Sequence, residues 1–334
     1  MQMLSTHGLT IGYRNGSKVS PVMHDIDLQL HGRCLTALLG RNGIGKSTLL
    51  RTIAGSQPAL SGKVELAGRD LQEYDAGELS HSLSLVYTDR TQAGGLTVRQ
   101  LVSLGRYPHT GFFGRLDSHD REVVTEAMAA TGIEHKSAAF VAELSDGERQ
   151  KAMIARALAQ ETPVILLDEP TAFLDVASRI EVMTLLHRLA REQNKAVLLS
   201  THDISQALLL ADELWVITHD HHVLQGCTED LILSGAMQQM FNPPERGSVT
   251  FDPAIGDFEA PLQAVCGYMV KCTDPVLRHW ITNALHRNGI AATGTAGTIT
   301  AVTRDDITLS LPDGTATHCT SIAGLLASIS HVSE

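Results

Sequence analysis

The sequence predicts an α/β fold built around a mainly parallel β-sheet with helices on both faces. Strand-like and helix-like segments alternate from residue 40 to His202, the pattern that parallel sheets produce. Short apolar runs such as Val164-Ile165-Leu166-Leu167 fit strands that are buried on both faces. A glycine-rich loop follows one such run and precedes a helical segment. Together these observations favour a core whose functional groups lie at the carboxyl ends of parallel strands.

The glycine-rich loop is the first element of this core. Its sequence is Gly40-Arg41-Asn42-Gly43-Ile44-Gly45-Lys46-Ser47-Thr48. The run 34–39 before it predicts a buried strand, and 46–54 predicts a helix that stops at Gly55. Glycines in such a loop let backbone N–H groups surround an anion, the lysine reaches the outer phosphates, and the serine hydroxyl binds Mg²⁺. The loop therefore predicts a nucleotide-phosphate site, with the phosphates on a helix N-terminus.

Two carboxylates follow the apolar run 164–167. Asp168 is predicted to hold Mg²⁺ through water, and Glu169 to orient and polarise an attacking water as a general base. A surface Asp-Glu turn after a core strand is the structural alternative. The phosphate loop supplies the partner that favours the catalytic interpretation.

A histidine follows the next predicted strand, 196–200. This strand is expected beside the one that carries Asp168, so that His202 reaches the γ-phosphate and the attacking water. The chain has 16 histidines. The prediction for His202 therefore depends on its position rather than on histidine chemistry alone.

A polar segment, Leu144-Ser145-Asp146-Gly147-Glu148, lies between the loop and the carboxylates. Ser145 and Glu148 form a capping-box pattern that opens a helix over 148–160. A capped N-terminus still presents N–H groups and a partial positive charge. Capping and phosphate binding are therefore compatible roles for this segment.

These fragments, in this order, resemble the ATP-binding subunits of ABC transporters. The segment 144–148 resembles their signature sequence, Ala172-Phe173-Leu174-Asp175 their D-loop, and Ser200-Thr201-His202-Asp203 their switch-histidine loop. Tyr13 resembles the aromatic residue on which adenine stacks. The resemblance covers about residues 1–245 and implies an antiparallel N-terminal β-subdomain and an inserted helical subdomain at about 92–150.

The resemblance also implies ATP and Mg²⁺ as ligands and a head-to-tail homodimer in which each signature sequence meets the ATP of the other subunit. The site residues carried over are Glu169, His202 and Lys46 for catalysis; Ser47 and Asp168 for the metal; and Tyr13, Gly40, Asn42, Gly43, Gly45, Lys46, Ser47, Thr48, Ser145, Gly147 and Asp175 for the nucleotide.

Two positions depart from the family pattern. The family places a glutamine at the start of its helical subdomain, but the corresponding stretch is Leu85-Val86-Tyr87-Thr88-Asp89-Arg90. Thr88, Asp89 and Gln92 are the alternatives for that role. Asp146 stands where the commonest signature has glycine, a variant that occurs among iron-chelate members; its carboxylate would repel phosphate unless it points away.

The cargo class is suggested by a segment of the helical subdomain. Leu104-Gly105-Arg106-Tyr107-Pro108-His109 resembles the subgroup that powers uptake of iron-siderophore, haem and cobalamin. Partners implied are transmembrane permease subunits and, through them, a solute-binding protein. Phe112 and Phe113 either dock a membrane partner or fill the subdomain core. A subunit for another cargo or an exporter, and a soluble ATPase of cofactor assembly, remain alternatives.

Composition fits a peripheral protein at the cytoplasmic face of the plasma membrane. The formal charge of −11 argues against nonspecific binding of nucleic acid. No apolar stretch approaches the roughly 20 residues that span a bilayer, and no signal peptide is evident. The five cysteines show no close paired spacing typical of zinc, and their odd number suits a reducing compartment.

The residues rich in turn formers at 242–247 predict a domain boundary. We expect an ATPase domain at 1–241 and a small α+β extension at 242–334. The extension is predicted to contain strands at 264–270, 298–302, 307–311 and 315–319 and helices at 275–287 and 321–329. Dimer support, regulation and simple packing are the roles open to it.

Overall fold

The computed structural model describes residues 1–16, 18–87, 95–111, 114–241, 250–253, 255–259 and 266–332. These residues divide into two compact units. The first contains the described residues up to Phe241 together with Thr250–Phe258, and the second contains the described residues from Glu259 onward. No helix within the described ranges is long and apolar enough to cross a membrane.

The first unit contains thirteen strands and eight helices within the described ranges, with short 3₁₀ segments between them. They are β1 Gln2–Asn15, β2 Lys18–Ile26, β3 Gln29–His31, β4 Leu35–Leu39, α1 Lys46–Ile53, β5 Ser61–Leu66, β6 Arg69–Asp70, α2 Ala76–Ser82, β7 Leu83–Val86, α3 Val98–Ser103, α4 Ser118–Ala130, α5 Asp146–Ala159, β8 Val164–Leu167, α6 Val176–Glu192, β9 Ala196–Thr201, α7 Ile204–Leu210, β10 Glu213–Ile217, β11 Val223–Cys227, α8 Thr228–Leu233, β12 Thr250–Asp252 and β13 Asp257–Glu259.

A six-stranded sheet, in the order β11-β10-β4-β9-β8-β7, forms the centre of this unit. Its strands are parallel except β11, which is antiparallel to β10. Every residue of β4, β8 and β9 is buried, and alternate residues face two different hydrophobic clusters. This confirms the predicted α/β class. It also places the carboxyl ends of β4, β9 and β8 side by side.

An antiparallel sheet, β2-β1-β5-β6 with β3 on β1, packs on one of these clusters. Strand β1 contains 14 residues, and β2, β3 and β5 all pair with it. Its pairing with β2 shifts register between Leu9 and Gly12, and a bulge of this kind obscures the alternation of apolar residues. The antiparallel N-terminal sheet expected from the family resemblance is therefore present.

Helices α3, α4 and α5 pack on one another and form the helical part of the unit. Each begins with a capping box, at Thr97, Asp117 and Ser145. Helix α3 ends at Ser103, and a 3₁₀ segment, Leu104–His109, continues through Pro108. Helix α5 begins two residues before the predicted start, because Ser145 is its N-cap.

Arg106 holds this helical part to the end of α5. Its side chain is only 2% exposed. Its guanidinium donates to the Asp120 carboxylate at 2.9 Å, to the Ala159 carbonyl at 2.8 Å and to Glu161 at 2.6 Å. Burial raises the pKa of Asp120, but the hydrogen bonds from Arg106 and from the backbone of Asp117 outweigh it and hold that pKa below its ordinary value. Arg106 of the segment 104–109 therefore has a structural role.

The first unit extends beyond the boundary expected at Phe241. Strands β12 and β13 pair with each other, and Phe251 joins the large hydrophobic cluster of the unit. Phe258 contacts both Phe251 and Phe241 at ring-centroid distances of 5.0 and 4.6 Å. The turn formers at 242–247 lie outside the described residues. Strand β12 follows a stretch rich in turn formers, and nothing in its sequence indicates that it packs on the domain before that stretch.

The second unit contains β14 Cys266–Gly267, β15 Met269–Cys272, α9 Pro275–Arg287, β16 Ile290–Ala291, β17 Thr298–Thr303, β18 Asp306–Ser310, β19 Ala316–Cys319 and α10 Ile322–Val332. Its main sheet has the order β15-β17-β18-β19, and β14 pairs with β16. A separate hydrophobic cluster joins its strands to α9 and α10. The predicted strand 264–270 is divided at Tyr268, and its first residues lie outside the described ranges.

Candidate active site

The loop after β4 turns sharply onto the N-terminus of α1. Gly43 and Gly45 have φ values of +78° and +120°, which other residues adopt only with strain. A Cβ on Gly45 would also lie 2.7 Å from Val22 Cγ1. Glycine is therefore required here by conformation and by space, and the backbone N–H groups at the start of α1 are left to face an anion.

Lys46 is the first residue of α1, and its side chain reaches back to the beginning of the loop. Its side chain is 5% exposed, and Nζ donates to the Gly40 carbonyl at 3.0 Å. Nζ also lies 3.6 Å from Glu169 Oε1. An ammonium group in this place is a fixed positive charge beside the carboxylate that follows β8.

Ser47 and Asp168 bring two oxygen ligands together. Ser47 Oγ donates to Asp168 Oδ1 at 3.0 Å, and Ser200 Oγ on β9 donates to the same oxygen at 2.7 Å. Hydroxyl and carboxylate oxygens are ligands that Mg²⁺ accepts, and Mg²⁺ usually keeps several waters and takes its other ligands from substrate phosphates. The two groups therefore fit a Mg²⁺ ion without a larger protein ligand set.

Glu169 occupies a strained backbone position at the end of β8. Its φ is +46°, which is uncommon for a non-glycine residue and costs on the order of 1 kcal/mol. Its N–H donates to Ser200 Oγ at 2.9 Å. The turn directs the carboxylate between Lys46 and His202, whose Nδ1 lies 3.3 Å from Glu169 Oε2. Strain retained at such a place is typical of functional sites.

A cavity of about 240 Å³ lies over the loop. It is lined by Tyr13, Asn42, Gly43, Gly45, Lys46, Ser47, Thr48 and Glu169. Tyr13 is 49% exposed and its hydroxyl is 2.9 Å from Thr48 Oγ1. Complete small-molecule sites usually enclose about 300 Å³ or more. The cavity is therefore suited to the phosphates alone, and it is partly open to solvent.

The signature residues do not line this cavity. Ser145 caps α5 by accepting the Glu148 N–H, and its own N–H donates to Glu148 Oε2 at 2.9 Å. Asp146 forms an ion pair with Arg149 at 2.7 Å, so its negative charge is partly neutralised by its own helix. Ser145 and Gly147 thus present a helix N-terminus away from the cavity of their own chain.

Asp175 is also absent from the cavity lining, and it caps α6. It accepts from the backbone N–H of Ser178 at 2.9 Å and from the Ser178 hydroxyl at 3.0 Å. These hydrogen bonds hold the pKa of Asp175 below its ordinary value. A Cβ on Gly147 would lie 3.0 Å from Ser178 Oγ, so the start of α6 packs directly against the start of α5.

Ser200 was missed as a site residue by the sequence analysis. It is fully buried, and its one hydroxyl bridges the Asp168 carboxylate and the Glu169 backbone. The available signal was a polar residue in an otherwise apolar strand, next to the strand that carries both carboxylates. Several sequence alternatives remain outside the described residues: Thr88, Asp89 and Gln92 for the missing glutamine, and Phe112 and Phe113 for docking.

For the ATPase activity that the family resemblance implies, we expect Ser200→Ala to lower turnover about tenfold, because the Asp168 carboxylate loses one donor and the Glu169 N–H loses its acceptor. The Michaelis constant should change little, since Ser200 does not line the cavity. Steady-state phosphate release measures both constants. Ser200→Thr keeps the hydroxyl and is the matched control; equal losses in both variants would mean that packing, not the hydroxyl, matters.

Comparisons with known proteins agree with this arrangement. The sequence profile of the family described as ABC transporter matches residues 23–172. The ferric enterobactin transport ATP-binding protein FepC of Escherichia coli is 37% identical over 248 residues, which are 74% of this chain and 89% of that protein. The iron(3+)-hydroxamate import ATP-binding protein FhuC of Bacillus subtilis is 34% identical over 241 residues, 72% of this chain and 88% of that protein.

Solved structures give the same result. An inward-facing ABC transporter of the metal-chelate type aligns with a TM-score of 0.62 and 27% identity, over 78% of this chain and 96% of that chain. The dimeric structure of MJ0796, a bacterial ABC transporter cassette, aligns with a TM-score of 0.59 and 25% identity, over 68% of this chain and 99% of that chain.

Proposed function

The chain belongs to the ABC transporter family of ATP-binding proteins, and from this premise we propose that it hydrolyses ATP to power an importer of iron-siderophore, haem or cobalamin-type chelates. The observation that carries the ATPase proposal is the convergence of three side chains: Lys46 and Glu169 line the cavity over the loop, and His202 contacts Glu169 at 3.3 Å. The names of several relatives support the cargo class. One of them is the cobalamin import ATP-binding protein BtuD of Halobacterium salinarum, which is 37% identical over 70% of this chain and 58% of that protein.

Hydrolysis follows from the groups at the cavity. Lys46 binds the outer phosphate oxygens, and the N–H groups at the start of α1 bind the others. Glu169 orients a water and accepts its proton as the water oxygen attacks the γ-phosphorus. The bond from this phosphorus to the β–γ bridging oxygen breaks, and ADP and phosphate leave. His202 hydrogen-bonds the γ-phosphate and keeps Glu169 in place. Mg²⁺ held by Ser47 and Asp168 would neutralise phosphate charge.

A second copy of the chain would complete the site. The cavity is partly open to solvent, whereas Ser145 and Gly147 present a helix N-terminus elsewhere in the same chain. An anion at that N-terminus is stabilised by the helix dipole and its unpaired N–H groups. In a head-to-tail pair, the signature residues of each copy would lie on the γ-phosphate held by the other.

Exposed apolar side chains beside Asp175 also support this pairing. Phe173, Val176 and Ile180 are 73%, 67% and 40% exposed. Val176 and Ile180 are one helical turn apart and share a face of α6. Apolar side chains gathered on a protein surface mark an interaction site more often than scattered ones do. Because they adjoin the residues assigned to the second nucleotide, we assign them to the interface between copies.

The proposed setting is the cytoplasmic face of the plasma membrane, bound to permease subunits that receive cargo from a solute-binding protein. Purification of the tagged chain from detergent-solubilised membranes tests this. We expect a polytopic permease to co-purify and the complex to show chelate-stimulated ATPase activity in proteoliposomes. Recovery of the chain from the soluble fraction alone, with a cofactor-assembly partner, would refute the transport role and leave the ATPase chemistry intact.

A further inference from the structure

Arg179, in the first turns of α6, contacts two loops of the active site at once. Its Nε donates to the Leu174 carbonyl at 2.8 Å. Its Nη1 donates to Asp203 Oδ2 at 3.2 Å. The side chains are 34% and 17% exposed, so this ion pair is partly protected from water. A guanidinium can serve both acceptors because its donors are fixed in one plane.

The two loops bear different parts of the site. The first runs from Glu169 to Asp175 and contains the exposed Phe173. The second consists of Thr201, His202 and Asp203. They also meet through the 3.3 Å contact between Glu169 and His202. Arg179 supplies a second contact, at the far end of the first loop and one residue beyond His202 in the second.

Asp203 is tied to the rest of the loop 201–203 and cannot move independently of it. Its second carboxylate oxygen accepts the Gln206 N–H at 3.2 Å and so caps α7. Its own N–H donates to Thr201 Oγ1 at 3.0 Å. A shift of Asp203 therefore moves the backbone that carries His202. The carbonyl of Leu174 is likewise part of the loop that ends in the α6 cap at Asp175.

We infer that Arg179 is a positioning residue that couples the loop 169–175 to the loop 201–203, so that docking of a second copy at the first loop sets His202 against Glu169. This inference rests on the proposed function. It assigns to Arg179 no contact with ATP, and therefore predicts an effect on turnover rather than on nucleotide affinity.

The test is Arg179→Met in the full-length chain, because methionine keeps much of the side-chain length without donors. We expect kcat for ATP to fall about tenfold, with KM and the Kd of a fluorescent ATP analogue within about twofold of wild type. Arg179→Lys should recover part of the loss, since a single ammonium group can keep the Asp203 pair. Arg188→Met is the control on the same helix: Arg188 contacts Ala130 and Glu192 and neither loop, so kcat should be unchanged.

A double-mutant cycle separates coupling from general damage. Asp203→Asn keeps the cap of α7, because asparagine caps helices as well as aspartate does, but loses the charge that pairs with Arg179. We expect the double variant to be no slower than Arg179→Met alone. Losses that multiply, or a wild-type kcat in Arg179→Met, would overturn the inference. If Arg179→Met does not fold, Arg179→Lys and Asp203→Asn test the coupling role instead. A reduced kcat at an unchanged Kd for ATP would support that role, and a wild-type kcat in both variants would overturn it.

The wild-type chain and Glu169→Gln are measured beside these variants. If the wild-type chain does not hydrolyse ATP, the proposed function fails. If Glu169→Gln is inactive while Arg179→Met has wild-type kcat, only the coupling role of Arg179 fails.

Discussion

Glu169→Gln is expected to lower the turnover of ATP by about 10²- to 10⁴-fold while ATP binding persists. Glutamine keeps the size of the side chain and the contact with His202, but it cannot accept a proton from the attacking water. The loss should fall on kcat because the carboxylate acts in the transition state rather than in binding. Steady-state phosphate release, with the Kd for ATP measured in parallel, provides the test.

Glu181→Gln is the matched control for this prediction. Glu181 lies on α6, is 60% exposed and pairs with Lys151 at 2.7 Å, remote from the cavity. Its loss should leave turnover near the wild-type value. Brisk hydrolysis by Glu169→Gln would contradict the role assigned to Glu169.

Lys46→Met is expected to weaken ATP binding by at least about 30-fold, since truncating one partner of a buried charge pair costs roughly 2 kcal/mol or more. Lys46 is nearly inaccessible to solvent, and its ammonium nitrogen lies 3.6 Å from Glu169 Oε1. Without this ammonium group, less positive charge would offset the repulsion between the triphosphate and the Glu169 carboxylate. Isothermal titration with ATP in the presence of Mg²⁺ measures the change.

Lys63→Met removes an exposed lysine that pairs with Glu65 and lies outside the cavity lining. It should bind ATP as the wild type does. If Lys46→Met keeps the wild-type affinity for ATP, the phosphate site described for the loop is wrong.

Local patterns explain what the sequence could predict. The run 164–167 is apolar at every position because β8 is buried on both faces, and the loop 40–48 is specified by glycines that its backbone requires. Each of these features is set by a short run of consecutive residues. The same holds for the N-cap at Ser145, where side chain and backbone interact three residues apart.

Contacts between distant residues explain what the sequence could not predict. Ser200 joins Asp168 to Glu169 across two strands, and Arg179 joins two loops, so neither role leaves a periodic pattern. The return of Phe251 to the first hydrophobic cluster is likewise a tertiary contact, and it moves the domain limit past Phe241. In each case the contacting residue is distant in the sequence, so that only the folded structure identifies it.

The segment 104–109 illustrates how a family resemblance and a structural role coincide. Arg106 is buried as a tie between α4 and α5. A Cβ on Gly105 would lie 2.2 Å from the Arg156 carbonyl oxygen, so close packing requires glycine there. By contrast, Leu104 and Tyr107 are 47% and 73% exposed. The buried residues of the segment have a structural role, and the cargo proposal therefore rests on the whole-chain similarity.

The central claim is that two copies of the chain close around ATP, and the mass of Glu169→Gln in solution tests it most directly. Sedimentation equilibrium with ATP and Mg²⁺ should give twice the mass of the chain, and without ATP the mass of one chain. Adding Ser145→Arg should keep the ATP-bound protein monomeric, because the arginine side chain occupies the helix N-terminus that meets the partner's ATP. Adding Asp117→Arg, which removes the equivalent cap of α4, should leave the dimer. A monomer that binds ATP without Ser145-dependent pairing would contradict the account.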